Sequence, residues 1–236
     1  MHWKVNDTQR DALVYIPAAA KNKPTPIIFA FHGHGGTMEN MMNSRDFEKL
    51  WPEAIIVYPQ GLNTPGQITD PKGARAGWQK APGDMSDRDL KFFDSMLTTF
   101  KNDYQIDGKR IYATGHSNGG SFTYILWATR SNVFAAFAPS SAAALKLVNQ
   151  LTPKPALHII GDNDPLVKPA WQKLMYNNVM RINNSSKAGE NYAKYATLYP
   201  SPTGTPFVLY EHPGGHVYPQ EANEVVIQFF KSCAKN

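Results

Sequence analysis

The stretch RIYATGHSNGGSFTYILWATR, residues 110–130, decides the fold. RIYAT is a short run rich in β-formers, and GGSFTYILWATR has the length and residue types of a helix. A strand that passes into a helix over so few residues leaves Ser117 on a sharp corner. Gly115 and Gly119 stand two residues to either side, where a side chain would collide with the neighbouring strand or helix. A serine on such a corner is held in a strained backbone, and the helix that follows aims its free N–H groups at it. An ordinary surface turn has no need of this arrangement. Ser117 is therefore a candidate nucleophile on a strand-to-helix elbow.

Working outward, the runs 12–17, 26–33, 54–61, 134–140, 156–161 and 206–212 read as further strands. Several are apolar on consecutive positions, the pattern of strands buried on both faces of a parallel sheet. Leu90, Phe93, Leu97, Phe100 and Tyr104 recur at spacings of three and four and predict an amphipathic helix over 87–104, with Ser86 as its cap. EANEVVIQFFKSCAK (221–235) predicts a closing helix. This alternation points to an α/β fold, a mainly parallel central sheet with helices on both faces. Two segments interrupt it. Residues 61–84 are so rich in Gly and Pro that they read as one long surface loop anchored near Trp78, and 183–206 reads as a second irregular excursion.

A chain of 236 residues, 42% hydrophobic, suits one domain spanning 1–236 with a sizeable core. The net charge of +5 is scattered rather than blocked, so nucleic acid is not an expected partner. No apolar run approaches the roughly 18–20 residues of a membrane span, so no membrane partner is expected either. Cys233 is the single cysteine, which excludes an internal disulfide. The first residues, MHWKVNDTQRD, carry no signal-peptide pattern, which leaves a cytoplasmic protein or one whose leader was removed. Nothing in the pattern sets an oligomeric state.

A serine hydroxyl is a poor nucleophile until a base takes its proton. In this architecture the base lies in the loop after the last strand, where EHPGGHVYP offers His212 and His216. His216 is favoured because Gly214 and Gly215 free its loop to swing toward the sheet's carboxyl edge, whereas His212 falls at the strand end. A carboxylate must orient the imidazole. HIIGDNDPLV offers Asp162 and Asp164 beyond a strand, and Asp164, further into the loop, is favoured over a residue placed to serve the turn. FHGHGGT (31–37) follows another strand and lets backbone approach a substrate closely. The backbone N–H groups of Asn118 and His34 are the expected oxyanion donors. His32 and His34 lack companion ligands at metal spacing, so no metal and no cofactor is expected. Trp78, His116 and Tyr218 are candidate substrate-binding residues, with Trp78 and Tyr218 as aromatic walls. The order Ser117, Asp164, His216 is the α/β-hydrolase order.

The ordered set FHGHGG, VYPQGL, GW, RIYATGHSNGG, GDNDPLV and GGHVYP resembles the polyhydroxybutyrate depolymerase and feruloyl esterase-like group of α/β-hydrolases, within carbohydrate esterase family 1. The resemblance runs from about Tyr15 to Phe230. It implies a secreted or periplasmic carboxylic ester hydrolase with its triad on Ser117, Asp164 and His216. The implied substrate is a feruloyl or acetyl ester of plant cell-wall polysaccharide. A polyhydroxybutyrate depolymerase, a general short-chain esterase and, more remotely, a non-catalytic binding protein on the same fold are the alternatives. Many depolymerases of the group carry a cysteine where this chain has His34.

Overall fold

The computed structural model describes residues 1–66 and 69–235; positions 67 and 68, inside the expected long loop, lie outside the described residues. In chain order the strands are β1 (His2–Val5), β2 (Thr8–Tyr15), β3 (Thr25–Phe31), β4 (Ile55–Pro59), β5 (Leu62–Asn63), β6 (Ala76–Gly77), β7 (Ile106–His116), β8 (Ala136–Ser140), β9 (Ala156–Gly161), β10 (Glu190–Ala193), β11 (Ala196–Tyr199) and β12 (Phe207–His212). The α-helices are α1 (Met38–Arg45), α2 (Phe47–Leu50), α3 (Arg88–Asp103), α4 (Asn118–Arg130), α5 (Pro169–Ile182) and α6 (Ala222–Ser232).

One sheet runs in the order β1-β2-β4-β3-β7-β8-β9-β12-β11-β10. The six strands from β4 to β12 pair in parallel, and an antiparallel hairpin closes each edge. Every residue of β3 and β4 is buried, yet the strands still alternate. Ile27, Phe29, Phe31 and Val57 join one core layer, against Phe93 of α3 and Phe122 of α4. Ile28, Ala30, Ile56 and Tyr58 join the other, against Met41 of α1, Phe47 of α2 and Phe230 of α6. Helices therefore cover both faces, as the consecutive apolar runs required.

The chain leaves β3 toward β4 and returns to β7 on β3's other side, so β3 and β7 flank a topological switch point. Ligand sites in open α/β sheets collect at the carboxyl ends of strands beside such a point.

Three local expectations are corrected. Ser86 does not cap α3: Met85, Ser86 and Asp87 all have positive φ, near 52–57°, which turns the chain sharply just before the helix. The cap comes instead from Gln79, whose Oε1 accepts from the N–H groups of Asp89 and Leu90 at 3.1 and 3.2 Å. Residues 183–206 are not wholly irregular, because β10 and β11 form a hairpin that extends the sheet edge. Residues 61–84 are not wholly irregular either, because β5 and β6 pair within them. Unpaired edge backbone gains hydrogen bonds by such pairing, and turn-rich composition does not forbid it.

Candidate active site

Ser117 follows the last residue of β7 and has φ 56° and ψ −117°. This is a conformation that a non-glycine residue holds only under constraint. The constraint is visible on both sides. A Cβ on Gly115 would strike the carbonyl of Gly119, and one on Gly119 would strike the carbonyl of Phe31 in β3. The elbow is thus folded hard against two strands, and Ser117 N–H is tied to Ser140 O at the end of β8 at 2.8 Å.

His216, in the loop after β12, brings its Nε2 to 2.8 Å from Ser117 Oγ. Its Nδ1 lies 2.8 Å from Oδ2 of Asp164, in the loop after β9. A carboxylate only accepts, so Nδ1 carries the proton and Nε2 accepts from the serine hydroxyl. The structure therefore brings Ser117, Asp164 and His216 together, although serine and histidine are 99 positions apart in sequence. Asp162 is exposed, and His212 turns its Nδ1 to the N–H of Gly214 at 3.1 Å.

Asp164 is 3% exposed and saturated with donors. Its Oδ1 accepts from the N–H groups of Leu166 and Val167, each at 2.9 Å. Its Oδ2 also accepts from Nε2 of Gln172, on α5, at 3.0 Å. Gln172 Oε1 in turn faces His158 Nε2 at 3.2 Å, and His158 Nδ1 faces Tyr124 OH at 3.0 Å. Since the Gln172 oxygen can only accept, His158 donates there and accepts from the tyrosine. Burial pushes His158 down to about 4, so it is neutral in this chain of bonds. Sequence reading missed Gln172 and His158, because a Gln one turn into a helix and a His inside a strand carry no signal of what they face.

The loop after β3 passes beside the serine: a Cβ on Gly33 would lie 3.5 Å from Ser117 Cβ. Asn118 is the first residue of α4, where backbone N–H groups have no partner within the helix. Its side chain does something the sequence did not suggest. Oδ1 accepts from the Trp78 N–H at 2.6 Å and Nδ2 donates to the Trp78 carbonyl at 3.1 Å, so one amide clamps the end of the long loop. His34 Nε2 contacts Asp70 Oδ2 at 3.1 Å within that same loop. His32 donates from Nδ1 to Gly33 O at 2.7 Å, while its Nε2 accepts from Gly61 N–H at 2.9 Å.

Trp78 is corrected. It was expected as a wall for substrate, but it is 0% exposed. Its indole stacks on Phe122 at 5.4 Å, meets Phe31 edge-on at 5.1 Å, and donates Nε1–H to His32 O at 2.8 Å. It pins the loop after β3 from beneath and offers a ligand no surface. The His116 ring lies 4.9 Å from that of His216. Burial first, then the charge of Arg45 and the neighbouring His216, hold His116 down at about 3. Tyr218 meets the His116 ring edge-on at 6.4 Å, and its other surface is covered by the Arg45 guanidinium 3.3 Å from the ring centre.

Known proteins can be set beside this geometry. No protein-family model matches the chain. Over 98% of both chains it superposes on an acetyl xylan esterase from Aspergillus awamori with a TM-score of 0.71 and 14% identity. A carbohydrate esterase family 1 ferulic acid esterase from Anaeromyces mucronatus, solved with ferulic acid, gives a TM-score of 0.64 at 16% identity over 99% of this chain and 89% of that one. The fold is that of the α/β-hydrolases. By sequence, the chain is 26% identical to a probable feruloyl esterase C of Aspergillus niger over 83% of its own length and 71% of that protein's. It is 29% identical, over 67% of its length, to a bifunctional acetylxylan esterase/xylanase of Neocallimastix patriciarum, of which it covers 22%. The chain spans about half the length of several other curated relatives it matches, all of them named feruloyl esterases. Among the described residues, no helix is long and apolar enough to cross a membrane.

Proposed function

We propose that this α/β-hydrolase domain is a serine carboxylic ester hydrolase that cleaves feruloyl or acetyl esters of plant cell-wall polysaccharides. The observation that carries the reading is the unbroken relay from Ser117 Oγ through His216 to Asp164, with both hydrogen bonds at 2.8 Å on a strained elbow. His216 Nε2 takes the proton as Ser117 Oγ attacks the ester carbonyl. Asp164 steadies the imidazolium without leaving its own donors. The tetrahedral oxygen is held by the backbone N–H groups of Asn118 and His34, a role supported by Gly33 lying against Ser117 and by the free N-terminus of α4. The protonated His216 then gives its proton to the departing sugar oxygen, and a water, activated in the same way, releases the acid.

The relatives' names support the choice of substrate class, and the whole chain, 1–236, is taken as the catalytic unit. The same reading includes an extracellular or periplasmic place of action, since the polysaccharide esters lie outside the cell. The test is Ser117→Ala assayed on an activated acetate ester. Hydrolysis is expected to fall by about 10⁴-fold or more, and an undiminished rate would reject the nucleophile. Comparing methyl ferulate, acetylated xylan, nitrophenyl esters and a hydroxybutyrate oligomer on one preparation then tests the substrate. Preference for the oligomer would reject the cell-wall reading.

A further inference from the structure

The loop that carries His216 is held differently on its two sides. Before the histidine it is tied to the loop after β9. The N–H of Asn163 donates to Gly214 O at 3.1 Å, and Asn163 Nδ2 donates to Pro213 O at 2.9 Å. After the histidine, Val217 is 54% exposed, and the next side chain packed against the core is Tyr218. The chain enters α6 only at Ala222. With Gly214 and Gly215 just ahead of it, His216 depends on a firm hold at both flanks.

Tyr218 supplies the second hold with its ring and not with its hydroxyl, which is buried without a hydrogen-bond partner. The ring meets His116 edge-on at 6.4 Å, and His116 lies 4.9 Å from His216. Over the ring, 3.3 Å from its centre, lies the guanidinium of Arg45, the last residue of α1. Arg45 is 4% exposed, its Nε–H has no partner, and its Nη1 donates to Ser44 Oγ at 3.1 Å. Burial weakens its hold on its proton, and the groups that oppose this are Tyr218 and Tyr58 rather than a carboxylate. Replacing a buried ionic group by an apolar side chain of similar volume is often neutral or stabilising. Stability alone therefore gives no reason for an arginine here. A flat cation laid on a ring face does give one, because it fixes the plane and depth of that ring.

The other end of α1 is anchored beside the loop after β3. Thr37 Oγ1 accepts from Asn40 N–H at 3.2 Å, and Met38 N–H donates to Gln60 Oε1 at 3.0 Å. The contact between Arg45 and Tyr218 thus joins the segment that follows His34 to the segment that carries the base. We propose that Arg45 is a positioning residue that acts through the face of Tyr218 to hold the His216 loop, an inference that rests on the esterase reading above.

Four variants of the full chain test it, read by kcat and KM on nitrophenyl acetate, by melting temperature, and by the low-field NMR signal of the His216 Nδ1 proton. Tyr218→Phe keeps the ring and removes only the unpartnered hydroxyl, so kcat should stay within about twofold of wild type. Tyr218→Leu removes the ring face and Arg45→Met removes the cation. Each should lower kcat about 10–100-fold with KM within about twofold, the loss expected when a reacting group is misplaced by about 1 Å. Arg45→Met should nevertheless melt no lower than wild type. The double variant should be no slower than the slower single one, because the two residues form one contact. The Nδ1 proton signal should be sharp in wild type and in Tyr218→Phe, and broadened in the other three. An intact kcat in Arg45→Met, a Tyr218→Phe as slow as Tyr218→Leu, or losses that multiply in the double variant would overturn the role. If wild type shows the sharp signal but hydrolyses no ester, the esterase reading alone fails, and the signals of the four variants then decide whether Arg45 holds His216.

Discussion

Gln172→Glu is the most demanding single test of how Asp164 is held. The substitution is nearly isosteric and places a second carboxyl where Gln172 Nε2 now donates to Asp164 Oδ2 at 3.0 Å. Two carboxylates in that geometry have charge centres about 4 Å apart, which at an effective dielectric near 20 is a repulsion of about 4 kcal/mol. Gln172 is 0% exposed and Asp164 3%, so desolvation acts in the same direction. The introduced carboxyl therefore keeps its proton in the folded state well above the usual carboxylate range. The protonated form can donate to Asp164 and accept from His158, but its single proton leaves Val167 O without the donor that Gln172 Nε2 now supplies at 2.7 Å. The sign follows from linkage. Below the ordinary glutamate value, near pH 4, the group is protonated folded and unfolded alike, and the variant differs from wild type only by a pH-independent offset for the lost bond to Val167 O. As pH rises, the unfolded chain ionises while the folded one cannot, and the variant loses about 1.4 kcal/mol per pH unit until the full ~4 kcal/mol is reached near neutrality. Urea unfolding of both proteins at each unit from pH 4 to 8 measures this difference directly. A stability difference that stays flat across the range would mean that position 172 does not face Asp164, and the relay as described would be wrong.

Two other outcomes follow from the same packing. Gly119→Ala would drive a methyl into the carbonyls of Phe31 and His32, backbone atoms that cannot step aside, so little folded protein should be recovered; a wild-type melting temperature would contradict the elbow's fit. His158, held down at about 4 by burial, contributes stability that is complete above its unfolded value of about 6.5 and lost as pH falls toward 4, about 3 kcal/mol in all. An imidazole NMR titration should therefore find His158 neutral at pH 5, and a protonated ring there would refute the assignment.

How much of this was legible beforehand depends on what each residue reports about its neighbours. The elbow, the sheet and the loops carrying Asp164 and His216 could be read, because strand–turn–helix order and the positions of loops after strands are sequence properties. The edge hairpins β1–β2 and β10–β11 could not, since their pairing is decided by what lies beside them in space. Gln172 was silent for the same reason. A glutamine is equally at home on an exposed helix face, and only the approach of α5 to the loop after β9 turns it toward Asp164. The cap on α3 shows local preference losing to tertiary contact. Ser86 is the better capping residue by type, yet the left-handed turn at 85–87 removes it and Gln79 supplies the oxygen from seven residues upstream of it.

Trp78 shows the other kind of failure. A tryptophan near the end of a Gly/Pro-rich loop, in a chain with a candidate nucleophile, reads equally as a binding wall or as an anchor, because hydrophobicity does not say which way an indole faces. Its polar atom does. A buried Trp needs an acceptor for Nε1–H, and the acceptor here is His32 O, the carbonyl just before the Gly33 turn. Asn118 reads the backbone of the same Trp78 from the opposite side. The loop after β3 and the first turn of α4 are thus joined through one residue. Both proposed oxyanion donors, the N–H groups of His34 and Asn118, sit at the ends of that bridge. The long loop accordingly acts as a strap under the reaction centre rather than as a wall around it. Its tryptophan fixes the spacing between those two backbone segments.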